Sequence, residues 1–77
     1  MEINDFLVQF KEQFIDSDDI KIDLDSNFRD IESYDSLTGM AILVMIKDNF
    51  NVDIADDQYK NLNSVREIFE FITKEKE

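Results

Sequence analysis

Ile3, Phe6, Leu7, Phe10 and Phe14 recur at intervals of three and four, with Glu2, Asp5, Gln9, Lys11, Glu12 and Gln13 between them. That spacing puts the apolar side chains on one face of a helix. The helix should end near Asp16 to Asp19, "DSDD", where four short polar side chains compete for local backbone hydrogen bonds. From Asp16 to Tyr34 no helical period is sustained. Ile20, Ile22 and Leu24 alternate with Lys21, Asp23 and Asp25 as in a strand, yet no second strand is available to pair with it. An ordered loop pinned to the core by Ile20, Leu24, Phe28 and Ile31 is the expectation.

A second helix is predicted from Ser36 to Phe50, with Asp35 as its N-cap. One stripe of it runs through Leu37, Met40, Ala41 and Val44, while Ile42, Leu43, Met45, Ile46 and Phe50 point elsewhere on the circumference. Such a helix is apolar nearly all round, and a small domain cannot bury all of it. Part of the set Met40, Ile42 and Met45 is therefore expected to face a partner or an apolar ligand. Ala55 to Leu62, "ADDQYKNL", should hold a short helix opened by acidic residues. Asn63 or Ser64 should cap a last helix burying Val65, Ile68, Phe69 and Ile72, with Lys74 to Glu77 as a frayed, solvated tail.

The 77 residues fit one domain spanning 1–77, with no internal repeat and no linker. A chain of this length buries only about 60% of the surface it exposes when unfolded, so its core must be compact. Without Cys or His, it has no thiolate nucleophile, no imidazole base and no soft metal site. Nineteen acidic and eight basic residues give a net charge of −11. That charge argues against nucleic acid and anionic membranes as partners and favours proteins with basic patches. "MEINDF" is acidic and does not read as a signal peptide, and Met40 to Ile46 is too short to span a bilayer. A soluble cytoplasmic protein is expected.

Few chemistries remain. A calcium loop starting at Asp23 places Asp25 and Asn27 correctly but puts Phe28 where Gly is required and Tyr34 where Glu is required. The neighbouring acids Asp56 and Asp57 suit a helix start better than acid–base catalysis. The single Gly, Gly39, rules out a glycine-rich phosphate cradle. Ser36 is left, and most serines at a helix start carry no chemistry.

The context of Ser36 changes this. "DSL" at Asp35 to Leu37 opens a helix continuing "MAILVMIKDNF". An apolar first helix and a long loop with "FRDI" precede it, and "NVDIADDQYKNLNSVREIFEFI" follows. Over essentially its whole length the chain resembles the acyl carrier protein family. The resemblance implies an all-α, acyl-carrier-type four-helix bundle with three longer helices, one short helix and a long loop between the first two. It implies that a phosphopantetheinyl transferase joins 4'-phosphopantetheine from coenzyme A to Ser36, with Asp35 and Leu37 completing the motif. The arm would supply the thiol that this chain lacks, and would carry acyl intermediates as thioesters between acyl-transferring, condensing or ligase enzymes. The protein would be a non-catalytic, monomeric carrier in lipid metabolism. Leu37, Met40 and Met45 would contact partners, and Val44, Ile54 and Ile68 would line an interior able to shelter an acyl chain.

The chain also departs from the family pattern. Ser33 stands where the family often has Gly, Thr38 and Ala41 where acids are common, Lys47 where acids are usual, and Ala55 where Pro is frequent. Gly39 inside the second helix costs about 1 kcal/mol relative to Ala. The pathway is expected to be fatty acid synthesis or a specialised acyl or polyketide-type one, and a partner-facing helix poorer in acids points to the latter, in an accessory or secondary-metabolite role. Two alternatives stay open: an aminoacyl carrier of D-alanyl or peptidyl type, and an unmodified helical interaction module.

Overall fold

The computed structural model describes residues 2–16 and 18–76, the last without its side chain. Among the described residues four helices make up the architecture: α1 (Ile3–Glu12), α2 (Ser36–Phe50), α3 (Asp56–Tyr59) and α4 (Val65–Lys76). A single 3-10 turn, Phe28–Asp30, interrupts the segment between α1 and α2. No named strand occurs among the described residues, only an isolated antiparallel bridge between Asn27 and Ser64.

Aromatic rings organise the core. Phe6, Phe10 and Phe14 lie on one side of α1 and its following turn, all buried. Phe10 meets the Phe28 ring edge-on at 5.2 Å, and Phe6 meets Phe50 of α2 edge-on at 5.6 Å, a geometry that suits the ring quadrupole. Val65, Ile68 and Ile72 of α4 are fully buried behind them, and Phe69 lies 5.4 Å from Phe6.

The loop is ordered because α4 stitches it down. The Phe28 amide donates to Asn63 O at 3.1 Å, the Arg66 amide to Leu24 O at 2.9 Å, and the Arg66 guanidinium pairs with Asp25 at 2.8 Å. Phe28 is fully buried, and Ile20, Leu24 and Ile31 pack against the core as expected. Ile22 is buried too, so this stretch uses its alternating residues as anchors without forming a sheet.

Helix ends follow local chemistry. Asn51 terminates α2 in the left-handed region (φ 57°), which Asn tolerates, and its amide donates to Lys47 O at 2.9 Å. Ser64 is the cap of α4: its hydroxyl accepts from the Glu67 amide at 3.1 Å, while the Glu67 carboxylate accepts from the Asn63 amide. The expected fraying from Lys74 onward is corrected, because α4 continues through Lys76. Lys and Glu are good helix formers, and lysines near a C-terminus complement the helix dipole. Glu77 lies outside the described residues.

The inward face of α2 is the main correction to the sequence reading. Thr38, Ile42, Met45, Ile46 and Phe50 point to the core, and Val44 is 59% exposed. Met45 and Ile46 lie three and four residues after Ile42, so they share its face, whereas Val44 is rotated about 200° away. Both stripes are apolar, so tertiary packing decides which turns inward, and the inward one carries Phe50 against Phe6 of α1.

Candidate functional site: the mouth of helix α2

Asp35 leaves the loop in an extended conformation and turns its carboxylate back over α2. One oxygen accepts from the Thr38 amide at 2.9 Å and from the Thr38 hydroxyl at 3.0 Å. These bonds, the amide foremost, hold the Asp35 carboxyl below its ordinary value, so it is ionised at neutral pH. Asp35 thereby takes the whole capping task. Ser36, the first residue of α2, is exposed, and among the described residues its hydroxyl enters no hydrogen bond.

Leu37 (74% exposed), Met40 (62%) and Val44 (59%) continue outward from Ser36 as an apolar stripe. Met45 does not belong to it. At 7% exposure it is buried, as is Ile42, so the expected partner role of Met45 is withdrawn and Met40 is the member of the set Met40, Ile42 and Met45 that faces outward. Val44 likewise leaves the interior set, while Ile54 and Ile68 are buried as expected. An open groove of about 390 Å³ flanks the mouth on the α1 side, lined in part by Phe14, Ile15, Asp35, Leu37 and Thr38.

On the other side of the mouth lies a cluster that the sequence reading missed. The Tyr34 and Tyr59 hydroxyls are hydrogen-bonded at 2.9 Å. Burial, reinforced by that bond, pushes the Tyr59 hydroxyl above its ordinary value, so it stays neutral near pH 7. A Cβ on Gly39 would come within 2.8 Å of the Tyr34 oxygen, which explains the glycine in the middle of an apolar helix. The Arg29 guanidinium lies 5.0 Å from the Phe28 ring centroid and 4.8 Å from that of Tyr59. It also donates to the carbonyls of Tyr59 at 2.6 Å and Leu62 at 3.1 Å, closing the C-terminal end of α3. Gly39, and a tyrosine immediately before Asp35, were the available signals, but the partner of Tyr34 is 25 residues away.

The Ser36 hydroxyl is thus exposed, without a hydrogen-bond partner among the described residues, and at a helix start, where backbone N–H groups favour an anion. That geometry fits a phosphopantetheine ester on Ser36, with the Asp35 carboxylate engaged by Thr38.

Comparison with known proteins supplies the deciding observation. A family model described as "Phosphopantetheine attachment site" matches residues 6–72. The chain belongs to the acyl carrier protein family. The acyl carrier protein of Thermobifida fusca is 32% identical over 73 residues, covering 95% of this chain and 92% of that relative. Those of Exiguobacterium sibiricum and Myxococcus xanthus are 36% and 34% identical over 52 and 55 residues. These matches cover 66% and 70% of the respective relatives, the first just under two thirds of its length. No solved structure matches the chain. Acyl carrier proteins are carriers and not catalysts, and the family's group is covalently attached 4'-phosphopantetheine, which supplies a thiol for thioester chemistry. No helix among the described residues is long and apolar enough to cross a membrane.

Proposed function

We propose that Ser36 is the residue that accepts 4'-phosphopantetheine, transferred from coenzyme A by a phosphopantetheinyl transferase, and that the arm shuttles acyl thioesters between soluble partner enzymes in the cytoplasm. One observation carries this reading: at the mouth of α2 the capping role belongs to Asp35, leaving the Ser36 hydroxyl with no structural task. In the transfer, the Ser36 oxygen forms the bond to the phosphorus that carries the pantetheine arm, the phosphoanhydride of coenzyme A breaks, and adenosine 3',5'-bisphosphate leaves with the bridging oxygen. The serine proton must go to a base on the transferase, because a chain without His has no group poised near neutrality to take it.

Leu37 and Met40, exposed within one turn of Ser36, would seat the transferase and later partners. The net charge of −11 would steer partners with basic surfaces toward the chain, and the apolar stripe would hold them once docked. The exposed apolar stripe of Leu37, Met40 and Val44 on α2, with the exposed Lys47 where the family usually has an acid, supports an accessory pathway of polyketide type over primary fatty acid synthesis. The chain would act as a single, monomeric domain.

The test is coexpression with a broad-specificity phosphopantetheinyl transferase, followed by intact mass. A mass gain that disappears in Ser36→Ala supports the carrier; a folded, unmodified native chain would make it an interaction module instead. Incubating the modified protein with candidate malonyl transferases and adenylating ligases then separates an acyl from an aminoacyl carrier. Elongation by primary fatty acid synthase enzymes as efficient as with their own carrier would remove the accessory-pathway assignment.

A further inference from the structure

A thioester carried on Ser36 has two places to put an apolar chain: outside, along α2, or inside, through the seam nearest the attachment point. That seam lies between the first turns of α2 and the short helix α3. Gly39 is one helical turn from Ser36 and buried, and across the seam from it stands Tyr59 of α3. Two aromatic side chains fill the gap. Tyr34 sits against the bare backbone of Gly39, its hydroxyl too close for any Cβ, and bonds across to Tyr59.

The plug is backed from behind. The Phe28 ring stands 5.3 Å from Tyr34 and 6.1 Å from Tyr59. Arg29 ties α3 down through two carbonyls, leaving its Nε buried and unpartnered, so the guanidinium is held by its stacking and its two bonds. Further in, Ile42, Val65 and Ile68 are fully buried. An entering chain would have to break the hydroxyl pair and then displace close-packed rings, whose volume it could not share.

We propose that the Tyr34–Tyr59 pair, seated on Gly39 and backed by Arg29, closes the interior to saturated acyl chains, so that this carrier holds short or polar acyl groups outside the bundle. The proposal rests on the carrier reading, and it deepens that reading by naming the class of cargo. It makes Tyr34 and Tyr59 specificity-determining residues that contact neither the arm's phosphate nor a partner. It also runs against the expectation that the interior shelters the acyl chain.

The chain has no Cys, so Ser36→Cys offers a single attachment point for the full-length protein. An iodoacetamide with a linker of pantetheine length is attached there, ending in either an octanoyl or an acetyl group. Because the label is synthetic, the result does not depend on whether Ser36 accepts phosphopantetheine, which intact mass decides separately. With both tyrosines present, the two labels should give melting temperatures within about 1 °C, and the Ile42 and Ile68 amide resonances should coincide. In Tyr59→Ala the octanoyl label should shift those resonances and raise the melting temperature by roughly 4 °C or more over acetyl. Tyr59→Leu, which keeps apolar bulk in the seam, should respond in the same direction by less and serves if the alanine variant does not fold. Octanoyl-specific shifts of the core with both tyrosines in place would overturn the proposal. So would folded variants that remain as indifferent to the octanoyl label as the protein with both tyrosines.

Discussion

Two serines stand at two helix starts in this molecule, and they are used in opposite ways. Ser64 at α4 is 7% exposed, and its hydroxyl is consumed by the Glu67 amide. Ser36 at α2 is exposed, because Asp35, one residue earlier, supplies the oxygen that α2 needs. The offset of a single position separates a residue that holds the fold from one that is free for chemistry. A helix-start serine is therefore informative only once the group capping the helix is known.

The largest consequence is in modification. Ser36→Ala should abolish the transferase-dependent mass gain while changing unfolding free energy by no more than about 0.5 kcal/mol, since the hydroxyl has no partner to lose. Ser64→Ala should keep the full mass gain. A mass gain that survived in Ser36→Ala would end the assignment of the attachment residue, and the comparison of the two serines with it.

One turn inside the same mouth, Gly39 offers a sharper test of how tightly the seam is packed. Alanine is favoured over glycine in a helix by about 1 kcal/mol, yet here its Cβ would meet the Tyr34 oxygen at 2.8 Å. The ring is held by Phe28 and by the bond to Tyr59, so it cannot swing away cheaply. Overpacking of this kind costs about 1–3 kcal/mol, so Gly39→Ala should destabilise by roughly 1 kcal/mol net. In a Tyr34→Phe background the clash is gone, and the same substitution should become neutral or stabilising. Denaturant melts of the four proteins give the coupling directly, and an additive result would show that the contact is slack.

At α4 the expected effect is of similar size and purely structural. Ser64→Ala removes a cap worth about 1 kcal/mol, which for a domain of this size lowers the melting temperature by roughly 4–8 °C. Ser64→Asp or Ser64→Asn should recover part of it, because each offers an oxygen to the Glu67 amide. No drop in melting temperature for Ser64→Ala would mean that Glu67, through the Asn63 amide, holds the α4 start alone.

Much of this layout was legible in the chain. The bounds of α2, Ser36–Phe50, follow from Asp35 and the apolar run, and the acidic start places a short helix within Ala55 to Leu62, although α3 covers only Asp56–Tyr59. The orientation of α2 was not legible. Its two apolar stripes differ little in hydropathy, and the choice of Ile42 and Met45 over Val44 is made by phenylalanines of α1 distant in sequence. The tyrosine pair was hidden for a related reason. Tyr34 reads as a loop residue and Tyr59 as part of an acidic helix, and only tertiary packing brings their oxygens to 2.9 Å. Arg29 likewise looks like one charge in a polar loop until the fold brings it to the carbonyls of Tyr59, the last residue of α3, and of Leu62 just beyond it.

The smallest effect distinguishes the two mouths by charge. The Ser64 hydroxyl carries no charge, so its capping bond does not depend on ionisation, whereas the Asp35 cap requires a carboxylate. The Thr38 amide and hydroxyl hold Asp35 below its ordinary value in the folded state, so the unfolded chain binds this proton more readily. The contribution of Asp35 is therefore complete above the unfolded value of about 3.9 and fades as pH falls through the lower folded value. Asp23 behaves in the same direction, held down chiefly by the Ser26 hydroxyl. Asp35→Asn keeps a capping oxygen but removes the titration. It should flatten, without abolishing, the acid loss of stability below about pH 4, and Asp23 should account for part of the slope that remains. In the native protein the Thr38 amide resonance should titrate with a midpoint below the ordinary aspartate value. A midpoint at or above that value would mean that the carboxylate does not hold the helix, and Ser36 would then regain a capping task that competes with attachment.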